Sequence, residues 1–182
     1  VAALVLRPFA VSDEAAARAA QDELAADDFT FLLEEFDPTE PWAAYLDRLS
    51  QRARGEDLPA DRVPADLLAA DVDGVLVGRS SIRHELNDWL LNYGGHIGYG
   101  VRPGFRRRGF ATRILELSLR RAADLGIERA LLTCDDGNVG SAAVIERCGG
   151  ILENVVEGPP GEAPKRRYWI QTAPFRAGVT CP

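Results

Sequence analysis

At 182 residues the chain is long enough for one well-buried core and short for two. With 46% hydrophobic and 27% charged residues it has the composition of an ordinary globular protein, and no run approaches the roughly 18 apolar residues of a membrane span. A net charge of −7 argues against general nucleic-acid binding, which relies on a basic surface.

Residues 2–8 read as a strand ended by Pro8. The apolar run in VAALVLRPFA precedes its basic residue and no small-residue cleavage site follows, so a buried first strand is expected in place of a signal peptide. Ser12 is expected to cap a helix over about 13–26, with Asp13 and Glu14 in its first turn. Pro41 opens a second helix, 41–54, on which Trp42, Tyr45, Leu46 and Leu49 recur at helical spacing. A loop with two prolines and alternating charge fills 55–64.

Two β-like runs, Leu67–Val72 and Val75–His84, flank the turn Asp73-Gly74, and His96–Val101 follows as a third. The clearest helix is 109–125: Phe110, Ala111, Ile114, Leu115, Leu119, Ala122 and Leu125 form one apolar face, and Gly126 stops it. Arg129–Cys134 reads as a buried strand and Ser141–Cys148 as a helix closed by Gly149-Gly150. Ile151–Val156 and Arg167–Thr172 read as a final antiparallel pair joined by the Pro/Gly-rich loop 158–164. The order βααβββαβαββ predicts a mixed, mostly antiparallel α/β (α+β) sheet with flanking helices, one domain over 1–182 with its core at about 2–172 and a tail at 173–182.

Charge is unevenly placed. Residues 1–78 hold 17 acidic and 6 basic side chains, whereas 79–129 hold 5 acidic and 10 basic. That split suits a protein that grips an anionic cofactor and admits a cationic second substrate; a solvated acidic surface explains the first half equally well. Cys134, Cys148 and Cys181 share no metal-ligand spacing and cannot all pair within one chain, which points to a reducing, cytoplasmic compartment. With only His84 and His96 besides, no metal site is expected.

The segment 101–112, VRPGFRRRGFAT, carries the chemistry. A strand ends at Val101, Pro103-Gly104 turns the chain, three arginines follow, and Gly109 opens the long helix. A helix start presents free N–H groups and the positive end of the dipole. Gly109 has no Cβ to keep a diphosphate from the backbone, small Ala111 continues that clearance, and Arg106, Arg107 and Arg108 add charge-assisted contacts. The segment lacks the Gly-Lys-Ser/Thr of a P-loop and the glycine array of a dinucleotide fingerprint. A solvated basic turn before a helix would look the same.

Arg106-Arg107-Arg108-Gly109-Phe110-Ala111 resembles, without a gap, the pyrophosphate motif Q/R-x-x-G-x-G/A of the GCN5-related N-acetyltransferase (GNAT) family. The likeness continues through strand Ala130–Cys134, the segment Asn138-Val139-Gly140-Ser141 and helix Ala142–Cys148, and the element order matches along nearly the whole chain. The block from Ile82 to Ile151 is most similar to an uncharacterised bacterial subgroup of predicted acetyltransferases.

The resemblance implies an acetyltransferase that uses acetyl-CoA as co-substrate, with no metal. Tyr99, Gly100 and Val101 would lie along the pantetheine arm, with Tyr99 and Val101 as the backbone pairing positions. Arg106, Arg107, Arg108, Gly109, Phe110, Ala111 and Thr112 would take the pyrophosphate. Asn138 would sit near the thioester or pantetheine, with Ser141 beside it. The reaction implied is direct attack by a neutral amine in a ternary complex, with a backbone N–H near Val101 stabilising the oxyanion.

One departure stands out. Many family members carry a tyrosine seven residues after the asparagine, and here that position is Ile145. Ser141, a water or Tyr99 are the substitutes for the missing acid. For the base, Glu85 comes first, then His84, then His96; a surface carboxylate and structural hydrogen bonding are the bland alternatives. The acceptor is a small-molecule or peptide amine, with Trp42, Tyr45, loop 55–64, Trp89 and Tyr168-Trp169 as candidate lining residues or, for the first two, core. A chain without the tyrosine also fits a non-catalytic acyl-CoA sensor or regulatory module. Homodimers through the C-terminal strands are common in such proteins, although 173–182 carries no supporting pattern. No nucleic-acid or membrane partner is expected.

Overall fold

The computed structural model describes residues 3–33 and 36–176; the expectations for residue 2, for 177–182 and for Cys181 lie outside them. Strand β1 (Val5–Pro8) is followed by helices α1 (Glu14–Ala25) and α2 (Trp42–Arg54), then by strands β2 (Ala65–Val72), β3 (Val75–Arg83) and β4 (Ile97–Val101). Helix α3 (Phe110–Asp124), β5 (Arg129–Asp135), α4 (Val139–Arg147), β6 (Ile151–Val156) and β7 (Lys165–Gln171) complete the expected order.

Several boundaries differ from the sequence reading, and for two helices the reason is local. Ser12 does not cap α1: a short 3-10 turn at Val11–Asp13 precedes it, and Asp13 is the N-cap. Arg7 draws Asp13 inward at 2.6 Å and the Ala10 amide donates to the same carboxylate at 2.7 Å. The Arg7 hydrogen bond holds that carboxyl below its ordinary range. Helix α4 begins at Val139 and not at Ser141, because Asn138 Oδ1 accepts the Ser141 amide at 3.0 Å as an N-cap. Strand β7 begins at Lys165, which pairs with Val156, and β6 carries a bulge between Leu152 and Asn154 opposite Tyr168 and Arg167.

The strands form two antiparallel ladders, β1-β2-β3-β4 and β5-β7-β6. The β2–β3 hairpin turns through Asp73 and Gly74 at φ 52° and 81°, the left-handed pair of a type I′ turn, and Asp71 Oδ1 accepts the Gly74 amide at 2.8 Å. On one face, α1 and α2 bury Ala17, Ala20, Leu24, Trp42 and Tyr45 against Leu67, Ala69 and Leu76. On the other, Ile114, Leu115 and Leu119 of α3 are fully buried against β3, β4 and β5. Each such leucine or isoleucine contributes about 1.5–3 kcal/mol. Among the described residues, no helix is long and apolar enough to cross a membrane.

The two ladders meet at one point. The His96 amide donates to Leu131 O at 2.7 Å, and the Leu131 amide returns a bond to His96 Nδ1 at 2.9 Å. Both strands leave this junction in the N-to-C direction, His96 lying just before β4 and Leu131 near the start of β5. No ladder joins them further on among the described residues. A gap therefore opens toward their carboxyl ends, where β4 leads to the start of α3 and β5 to the start of α4.

Candidate active site in the gap between two strands

Register decides which groups of β4 face the gap. Ser81 pairs with Gly98 and Arg79 with Gly100, while Arg83 N–H bonds His96 O and Arg102 N–H bonds Val77 O. This phase turns the backbone of 98 and 100 toward β3, so the N–H and C=O groups of Tyr99 and Val101 point into the gap. Those are the two positions expected to pair with a pantetheine arm. Side chains alternate as well. Ile97, Tyr99 and Val101 pack on the α3 side, leaving the opposite side of the strand to Gly98 and Gly100.

At the mouth of the gap, Arg107 and Gly109 both adopt left-handed backbone, at φ 62° and 81°. Glycine takes this conformation freely, whereas arginine does so at a cost of about 1 kcal/mol. A Cβ added at Gly109 would meet nothing within 4 Å, so the backbone there is open. Arg113 N–H is the first to close on the helix, reaching Gly109 O at 3.1 Å. Among the described residues nothing accepts the amides of 107–112, which leaves a run of backbone donors of the kind that suits an anion. The three arginines divide. Arg106 is tied to Val101 O at 3.2 Å and to Asp27 at 2.5 Å, bracing the loop on β4 and on the end of α1. Arg107 and Arg108 are exposed, without a carboxylate partner among the described residues, and Arg108 lies over the Phe105 ring at 5.6 Å.

Deeper in the gap, Tyr99 Oη lies 3.3 Å from Ser141 Oγ, bridging β4 to the first turn of α4. Burial pushes the Tyr99 phenol up to about 12 despite the Ser141 bond, so it stays protonated at neutral pH. Burial likewise raises the thiols of Cys134 and of Cys148, the latter to about 11; both are free, buried and packed as small hydrophobes. Asn138 is exposed and caps α4. Ile145, at the position where a tyrosine is common, is 1% exposed in the core, so the phenol of this gap comes from β4 instead.

The proposed bases are not brought to this cluster. Glu85 is exposed in the bend after β3. Ser80 stands opposite Tyr99 and Arg83 bonds His96 O, so Glu85 follows β3 beyond the His96 junction, at the closed end of the gap. His84 turns to the α3 side, where its Nε2 is 3.2 Å from Asp66, a carboxylate that Arg121 holds at 2.8 Å. His96 is the junction itself: burial pushes it down to about 4, and its Nδ1 is occupied by Leu131 N–H.

Of the candidate acceptor residues, Trp42, Tyr45 and Tyr168 are core; Tyr168 Oη donates to Glu146 at 3.0 Å. Trp89 is exposed, and Trp169 lies under Arg129 beside His96. The sequence reading passed over Phe29 and Arg79, which cover the glycine side of β4. The signal available for them was Gly98-x-Gly100 inside a strand, a pattern that marks close approach by another group.

Comparison with known proteins follows the same lines. The family model described as an acetyltransferase (GNAT) domain matches residues 3–151. A sequence comparison with curated proteins finds no match. Among solved structures, RimJ of Mycobacterium smegmatis in complex with CoA-disulfide is 21% identical, covering 92% of this chain and 81% of its own with a TM-score of 0.66. yncA, a putative acetyltransferase from Salmonella typhimurium with its cofactor acetyl-CoA, is 15% identical over 99% of each chain, with a TM-score of 0.63. An acetyl transferase from Salmonella typhimurium that modifies the N-terminal serine of a 50S ribosomal subunit protein is 19% identical. It covers 92% of this chain and 94% of its own, with a TM-score of 0.65.

Proposed function

The chain belongs to the GNAT acetyltransferase family, and from that premise we propose that it moves an acetyl group from acetyl-CoA to a primary amine by direct attack in a ternary complex. The observation that carries this reading is the juxtaposition of an open run of amides at 107–112 with an edge of β4 that no strand ladder covers among the described residues. The amides, with Arg107 and Arg108, fit a diphosphate; the edge at Tyr99 and Val101 fits the amide-bearing pantetheine arm. The CoA-bound and acetyl-CoA-bound neighbours of the same fold support that donor.

Within the gap the Val101 N–H donates to the thioester oxygen as negative charge develops there. Tyr99, protonated through the physiological range and fixed by Ser141, delivers a proton to the departing thiolate. It thereby does the work that Ile145 cannot. Asn138 contributes through its cap, which sets Ser141 in place at the first turn of α4. Glu85 and His84 receive no direct role, because a base must lie within hydrogen-bond reach of its proton or one water away. The neutral fraction of the amine is the nucleophile.

The acceptor is a primary amine on a small molecule or at a peptide terminus; the neighbour that modifies an N-terminal serine supports including the second. The test is thiol release from acetyl-CoA over a panel of small amines and seryl peptides. Acceptor-dependent release is expected. Tight binding of acetyl-CoA with no release above background for any acceptor would make the chain a binding module instead.

A further inference from the structure

We propose that the Phe29 ring is the wall against which the acceptor amine is positioned and water is kept from the thioester, and that Arg79 holds the ring in place; this rests on the acetyl-transfer reading above. The gap has two sides. The α3 side is filled by Tyr99, Cys134, Leu132 and the helix itself, so a nucleophile must come from the side where β4 shows only Gly98 and Gly100. Guanidinium nitrogens of Arg83 and Arg79 stand over Gly98, and an apolar group covers Gly100. A Cβ on Gly100 would lie 2.6 Å from two carbons of the Phe29 ring, so the ring is seated directly on the strand and only glycine admits it.

The seat is built, not incidental. Arg79 sits opposite Gly100 in the ladder, is 6% exposed, and lies 4.6 Å from the Phe29 ring centroid. Its Nε donates to Phe31 O at 3.1 Å, Nη2 to Thr30 O at 2.7 Å and Nη1 to Gly98 O at 3.0 Å. One guanidinium thus pins the residues that follow Phe29 to β4 beside the ring. No carboxylate pairs with Arg79 among the described residues, and desolvation pushes it down to about 9. A buried cation bonded only to carbonyls and an aromatic face is a costly element, and fixing Phe29 over β4 is what it accomplishes here.

Phe29 is only half-buried, so removing its ring opens the glycine side to solvent. In the leak reaction that follows, a water oxygen bonds to the acetyl carbon and the C–S bond breaks. Acetate leaves, the thiolate takes the proton that Tyr99 supplies, one proton of the attacking water restores the Tyr99 phenol, and the other passes to solvent. The variants are Phe29→Ala, Phe29→Tyr as the conservative control, and Gly100→Ala, whose methyl expels the ring without removing it. The readouts are amine-free thiol release from acetyl-CoA and acetyl-CoA affinity by calorimetry. Phe29→Ala and Gly100→Ala are expected to raise amine-free release about tenfold, with Phe29→Tyr unchanged and with acetyl-CoA affinity within about twofold of wild type in Phe29→Ala. The double variant is expected to match Phe29→Ala alone, since one ring is the target of both changes. General damage lowers release and cannot raise it. Unchanged release in both single variants, with affinity kept, overturns the proposal. A wild-type protein that does not bind acetyl-CoA overturns the acetyl-transfer reading instead.

Discussion

His96 fastens the two ladders at the closed end of the gap, and its protonation should unfasten them. Burial, with a smaller contribution from Arg83, takes its pKa from 6.5 to about 4. Between those values the unfolded chain binds a proton that the folded chain refuses, so stability rises with pH across the window and is lost as pH falls through it. A shift of that size corresponds to about 3 kcal/mol. The cause is geometric: Nδ1 accepts Leu131 N–H at 2.9 Å, and the ring is 7% exposed. Carboxylates titrate in the same range, so the measurement is a difference. His96→Asn keeps an acceptor at the position of Nδ1 and cannot be protonated. Urea unfolding of both proteins, followed by tryptophan fluorescence at neutral pH and at about pH 4, should show the wild type losing about 3 kcal/mol relative to the variant. His96→Ala, which strands the Leu131 amide, should cost about 1–3 kcal/mol at every pH. A wild-type-minus-Asn difference that stays flat across the window would refute this account of the junction.

Two further predictions concern the chemistry. Tyr99→Phe removes the phenol and keeps the backbone edge of β4, so kcat should fall on the order of 100-fold with acetyl-CoA affinity unchanged. Because burial raises that phenol to about 12, wild-type kcat should show no loss from its ionisation below about pH 11. Glu85→Gln should leave kcat/KM within about twofold, and the rate should follow the neutral fraction of the acceptor as pH rises. A sharp drop in Glu85→Gln would put a carboxylate relay into the mechanism.

What was legible in the chain was whatever depends on neighbours in sequence. The apolar stripe of α3, the Asp73-Gly74 turn and the helix start at Gly109 follow from local spacing and backbone freedom, and their boundaries fall within a residue or so of expectation. Tyr99 and Val101 came from the family resemblance and not from local pattern; the ladder register turns their backbone groups into the gap. Contacts across the fold were not legible. That His96 is a fastener depends on Leu131, 35 positions away; that Arg106 braces the loop depends on Asp27; and that Tyr99 meets Ser141 depends on how α4 sits against β4. Glu85 illustrates the limit most clearly. A carboxylate at a strand end carries no sign in the sequence of which end of the gap it stands at.

The central claim is that the amides and arginines at the start of α3 hold a diphosphate. It is tested most directly by calorimetric titration with two donors that share the thioester and pantetheine arm, acetyl-CoA and acetyl-pantetheine. Loss of the diphosphate and nucleotide should weaken binding by about 100-fold or more, and Arg107→Ala with Arg108→Ala should weaken acetyl-CoA but not acetyl-pantetheine. Equal affinity for the two donors would contradict the assignment of the loop.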